Sequence, residues 1–332
     1  MPNCFDRAFG GKVTNDYVSG ALNDPKAADN PNVHMLIIGL DYKETSFPLT
    51  CSLDANNMLD LAQACGVTDL NVMLNTECTK ERVRAKIAEV GGRCQAEEFF
   101  VIYYAGHGER VEDEDHDEDD GYDEALVLVN EQGQFEIPGT FLTDDEFAEC
   151  ITDSIAPEVR VLVIMDCCHS GTIADLDRDI WEGFEAISIC GCTDVQESQD
   201  MGKGGVFTHA LLMGLDNLQN EEQDEYSVGM AFNMALKFDQ EVFNSSQDLT
   251  IQMSSCCSSE SMAWPLVPRV RYTSPFKRVR QRKRAVGDVN PTPEELWRLG
   301  IPPSMAATAC DESKELSLGI PAGKKYGDCC VQ

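Results

Sequence analysis

Two short segments place a histidine and a cysteine beside glycines: Ala105-Gly106-His107-Gly108 and Asp166-Cys167-Cys168-His169-Ser170-Gly171. A cysteine attacks a carbonyl as its thiolate, and a nearby imidazole both favours that thiolate and later protonates the leaving amine. Glycines beside His107 and after Ser170 let backbone N–H groups approach a tetrahedral oxyanion. The chemistry outlined is acyl transfer to a thiol. On spacing alone the same residues read equally well as core side chains and turns, because buried cysteines are common and the patterns are short.

Both segments follow apolar runs, residues 99–104 before the histidine and 160–165 before the cysteines, and similar runs occupy 35–40, 70–74, 125–129 and 186–190. Short runs of this kind suit strands buried on both faces, as in a parallel sheet covered by helices. Helical spacing marks 52–64, 79–90, 144–152, 207–218 and 228–242; in the second, Val83, Ile87 and Val90 share one face. The alternation predicts an α/β fold with a mostly parallel central sheet and helices on both faces. Chemistry in such sheets collects beyond the carboxyl ends of the strands, where both segments fall.

The organisation expected is a loose leader over 1–33, a folded unit over 34–267, and a tail over 268–332 that is first basic and then rich in Pro and Gly. No apolar run approaches the roughly 18 residues of a membrane span, and the start, MPNCFDRAFGG, lacks a secretory pattern. The cytosol is therefore the expected compartment, and most of the 15 cysteines are expected as reduced thiols. Fifty-eight acidic against 26 basic residues, a formal charge of -32, disfavour nucleic acid as a partner and suit a cationic substrate or a divalent metal.

YYAGHG followed by DCCHSG, with ISICGCTDVQESQD and GGVFTHALL after them, resembles the metacaspase family over roughly residues 33–266. The resemblance implies a caspase-like fold and a cysteine endopeptidase with His107 as base and Cys168 as nucleophile. It also implies an oxyanion hole from the N–H groups of Gly108 and Cys168, and makes Cys167 a neighbour. Cys167, Cys190 and Cys192 also raise a redox switch, against the plainer reading of reduced bystanders. Caspases carry a neutral glutamine two residues before the nucleophile, and this chain has Asp166, so a substrate arginine or lysine is expected. The family's C-x-x-D pattern matches Cys51-Ser52-Leu53-Asp54 and supplies a second pocket acid, whereas Ala105 stands where the family often has serine.

Residues 112–124 are mostly acidic, and alone they read as a solvated loop, since calcium needs about six to eight shaped oxygens and no EF-hand pattern occurs. The resemblance implies instead a calcium activator on Asp123, Asp144, Asp145 and Asp175, with the other acids of the loop solvated and no organic cofactor. Arg178 and Lys203 are candidate self-cleavage points. Cys329-Cys330-Val331-Gln332 matches a prenylation box at Cys329. With the basic run before Ala285 it suggests peripheral membrane attachment, although that run reads equally as a nuclear-import segment or a cleavage site. A monomer acting on protein or peptide substrates is the expectation. Its rivals are a catalytically silent caspase-like scaffold or calcium-sensing interaction protein, and a thiol redox or metal-binding protein, which the absence of CxxC disfavours.

Overall fold

The computed structural model describes residues 27–112, 121–193, 204–221, 225–243, 245 and 247–275. Strand β1 (Asn30–Gly39) leads through α1 (Cys51–Ala64) to β2 (Val67–Leu74), then α2 (Lys80–Gly91) leads to β3 (Phe99–Ala105). After β4 (Gly108–Glu112), β5 (Tyr122–Val127) and β6 (Phe141–Thr143) come α3 (Asp144–Thr152), β7 (Arg160–Asp166) and β8 (Ala186–Cys190). The chain then runs through α4 (Val206–Asn220) and α5 (Val228–Phe238) to β9 (Thr250–Met253).

The central sheet has the order β2-β1-β3-β7-β8-β9, parallel throughout except for the antiparallel edge strand β9. Alternate residues of each strand feed opposite faces. On one, Leu36, Ile38, Phe100, Ile102, Val161 and Val163 pack with Val83, Ile87 and Val90 of α2 and with Phe147 and Ile151 of α3. On the other, Met35, Ile37, Val101, Tyr103, Leu162 and Ile164 meet Met58 and Leu61 of α1, Leu211 and Leu215 of α4, and Phe232 of α5. Each such aliphatic side chain, removed from water, contributes about 1.5–3 kcal/mol before entropy is counted. Helix starts follow local chemistry: the Thr79 hydroxyl accepts from Arg82 N–H, and Thr143 and Glu146 form a reciprocal capping box.

Four expectations need correction. The run 125–129 is not a strand of the main sheet: as β5 it pairs antiparallel with β4 and β6 in a separate three-stranded sheet. It is apolar because it lies against the α2 and α3 core, and apolarity alone does not reveal a strand's neighbours. The leader ends earlier than residue 33, since Asn30 N–H donates to Gly66 O at 2.6 Å and β1 starts there. The tail starts later than residue 268: Arg269 N–H donates to Ala64 O at 2.9 Å, and Tyr272 and Ser274 are buried. Basic composition records charge, while a single aromatic decides packing. Helix α5 stops at Phe238, and a wider turn, Asp239–Phe243, follows it.

Residues 1–26, most of the acidic loop, Lys203, the basic run from Lys277 onward and the Cys329 box lie outside the described residues. Among the described residues no helix is long and apolar enough to cross a membrane.

Candidate active site

Register brings the two chemical segments together. Ala105 at the end of β3 pairs with Asp166 at the end of β7, and Gly106 N–H donates to Asp166 O at 3.3 Å. The chain then leaves each strand into facing loops. A Cβ on Gly108 would lie 1.9 Å from the Cys168 carbonyl oxygen, so this close approach of the loops requires glycine. His107 Nε2 donates to Phe47 O at 2.8 Å. A carbonyl only accepts, so Nε2 carries the proton and Nδ1 keeps the lone pair of a base.

The adjacent thiols differ in environment. Cys167 is 1 % exposed and faces the core, where burial pushes its thiol well above the ordinary range, while Cys168 is only half-buried. Cys190 and Cys192 are also buried, their thiols pushed up to about 12 and about 11 by the same cause. His169, directly after Cys168, has φ 49, and Asp175 has φ 45, both in a region costly for residues other than glycine. Such conformations cluster at functional turns.

The expected pocket acids are also brought together, under the amino end of α4. Asp54 Oδ2 accepts from Gly205 N–H at 2.8 Å, and Asp166 Oδ2 accepts from Thr208 N–H at 3.0 Å and from its hydroxyl at 2.6 Å. Asp54 is fully buried and Asp166 4 % exposed. Gly204 and Gly205 cover them: a Cβ on either would lie 2.2 Å from Asp54 Oδ1 or Asp166 Oδ2, respectively. Cys51, one turn before Asp54, is buried in the α1 core. The sequence reading missed His209, fully buried with Nε2 3.7 Å from Asp54 Oδ1; its only signal was a histidine inside GGVFTHALL.

Asp123, Asp144 and Asp145 converge, each offering an oxygen within 4.8 Å of the others. Asp175 reaches this group through Arg178, whose Nη1 contacts Asp145 and lies 3.6 Å from Asp175 Oδ2. A guanidinium drawn among these carboxylates shows that the donor set holds positive charge, so the residues fit a hard, oxygen-seeking cation such as calcium. Glu124 departs from expectation. It is not solvated but 3 % exposed, with Arg110 Nε 3.4 Å away and the Thr172 hydroxyl donating to it.

Residues 34–177 match the family model described as metacaspase, peptidase C14 domain. Over that stretch the chain is similar to the metacaspase peptidase domain, and the relatives it matches are metacaspases. It is 30% identical over 153 residues to Metacaspase III c of Phaeodactylum tricornutum, covering 42% of this chain and 43% of that one. To Metacaspase-1 of Arabidopsis thaliana it is 35% identical over 144 residues, 37% and 38% of the two chains. A longer match, to Metacaspase-1 of Yarrowia lipolytica, is 28% identical over 303 residues, 70% and 63% of the two chains. The chain thus spans less than half the length of the first two relatives. In fold, it is similar to a crystal structure of a Geobacter sulfurreducens protein, with TM-score 0.51, 23% identity, and coverage of 70% of this chain and 96% of that one.

Proposed function

We propose that this chain is a cysteine endopeptidase of the metacaspase family that cuts after arginine or lysine, with Cys168 as nucleophile and His107 as base. The observation that carries the reading is the contact of the two loops at Gly108, with the His107 tautomer set by Phe47. The Cys168 thiolate attacks the carbonyl carbon, and the resulting oxyanion is held by the Gly108 and Cys168 N–H groups. As the C–N bond breaks, the His107 imidazolium gives its proton to the leaving amine. Water then attacks the thioester while His107 takes its proton, and the acid product leaves as the thiolate is regenerated.

The substrate cation is read by Asp166 and Asp54, with Cys51 beside them. Because Gly204 and Gly205 cover both acids, the turn they form lifts before a side chain enters. Asp123, Asp144, Asp145 and Asp175 would hold calcium, whose positive charge would, when bound, draw together the loops next to Cys168. Arg178 is a self-cleavage candidate on a half-buried turn beside that group.

The test is cleavage of matched fluorogenic peptides ending in Arg, Lys or Asp, with calcium or a chelator, by wild type and Cys168→Ala. Cleavage after Arg or Lys that needs calcium and vanishes in the variant is the expected result. Cleavage after Asp overturns the pocket assignment, full activity in chelator removes calcium, and silence from folded protein favours a scaffold.

A further inference from the structure

His107 and Val127 stand opposite each other, one step beyond the Gly108–Leu126 pair of the β4–β5 ladder. A bonded antiparallel pair exchanges two backbone hydrogen bonds. Val127 N–H does donate to His107 O, at 3.1 Å. The return bond, however, passes through a side chain: His107 N–H donates to the Tyr42 hydroxyl at 2.9 Å, and that hydroxyl donates to Val127 O at 2.6 Å. A phenol is spliced into the ladder at the histidine.

The surroundings are built around this insertion. The Tyr104 hydroxyl donates to His107 O at 2.7 Å and lies 3.0 Å from the Tyr42 hydroxyl. Both tyrosines are buried, and burial pushes both phenols well above their ordinary range, so they stay protonated donors. Tyr42 holds φ 50, and its ring centroid lies 4.5 Å from that of His107. A Cβ on Gly106 would come within 2.5 Å of the Tyr104 hydroxyl and 2.7 Å of the Tyr42 hydroxyl, so glycine is what admits both phenols.

We infer that Tyr42 is a positioning residue for His107: its hydroxyl, inserted between the His107 N–H and the Val127 carbonyl, sets the peptide orientation that aims the imidazole. Tyr104 braces the same peptide from its carbonyl. Without the hydroxyl the ladder either closes, turning the peptide, or takes the partner of the buried His107 N–H away and leaves Val127 O with the Tyr104 hydroxyl, 3.2 Å from it. The inference rests on His107 being the base.

Tyr42→Phe keeps the ring contact and removes only the hydroxyl. In the full chain with calcium, kcat falls roughly ten- to a hundredfold while KM stays within about twofold. Alkylation of Cys168 by iodoacetamide slows at neutral pH, and its pH profile moves toward that of His107→Ala. A role confined to stability would lower the melting temperature and leave both readouts alone. Tyr104→Phe, whose target carbonyl still receives Val127 N–H, shows a smaller loss of about two- to fivefold with a shift in the same direction. If Tyr42→Phe does not fold, the Tyr104→Phe alkylation profile decides, an unchanged profile counting against the inference. Wild-type kcat and alkylation in folded Tyr42→Phe overturn it. Activity that survives His107→Ala would instead remove the reading of the base.

Discussion

Neighbouring residues with the same side chain have opposite prospects at Cys167 and Cys168. The first points into the core, where a thiolate is disfavoured, and the second stands half-buried beside the His107 loop. Cys168→Ala should therefore lower kcat/KM by at least about a thousandfold, whereas Cys167→Ala should keep it within about threefold. Intact-mass analysis after brief iodoacetamide treatment should show one fast adduct, on Cys168, and a fast adduct on Cys167 would reverse the assignment. DCCHSG made both cysteines visible but did not say which faces solvent, because that depends on how the chain leaves β7. Tyr42 was not legible at all, since a tyrosine in a loop carries no sign of which peptide its hydroxyl will meet.

At the scale of elements, the loop contacts are tight enough to test by adding one carbon. Gly108→Ala places a Cβ where the Cys168 carbonyl lies, so it should cost activity about a hundredfold or more, while thermal unfolding stays cooperative. Helix α3 begins at Thr143 by its capping box, which sets Asp144 and Asp145 in the first turn facing Asp123. Arg178 shares those carboxylates, and a bound cation must compete with its guanidinium. Arg178→Gln in a Cys168→Ala background should thus tighten calcium binding by roughly tenfold in calorimetry, the worth of about one partly buried ion pair. Weaker binding in that variant would mean that Arg178 supports the site instead. The acidic residues were all evident in the sequence, but the burial of Glu124 was not, because a charge run looks the same whether or not an Arg110 waits opposite one member.

Across the whole molecule the chemistry gathers at the carboxyl ends of the strands, and a separate charged cluster ties their amino ends. Arg93 donates from Nε and Nη2 to Asp69 at 2.9 and 2.8 Å, and His34 bridges Asp69 and Glu98 at 2.7 and 2.9 Å. Burial would raise the Asp69 carboxyl, but hydrogen bonds and charge from Arg93, with help from His34, overcome it and hold the group at about 2. A depressed folded value contributes stability that is present above the ordinary value of 3.8 and lost as pH falls through about 2. Asp69→Asn should therefore cost about 1–2 kcal/mol at neutral pH in urea unfolding, and the difference from wild type should vanish below about pH 2. Peptidase activity of the variant should stay near wild type, since the cluster is remote from His107.

By itself the sequence determined the strand and helix alternation, the two loaded loops and their order, because apolar periodicity and glycine placement are local properties. It carried the metacaspase resemblance too, through motifs that lie in continuous stretches. Tertiary structure decided what depends on neighbours distant in the chain: that 125–129 joins a separate antiparallel sheet, that Tyr272 anchors a basic segment, and that α4 covers Asp54 and Asp166. It alone decided that a hydroxyl from the loop after β1 enters the ladder at His107, since hydrogen bonds form between groups that folding brings together.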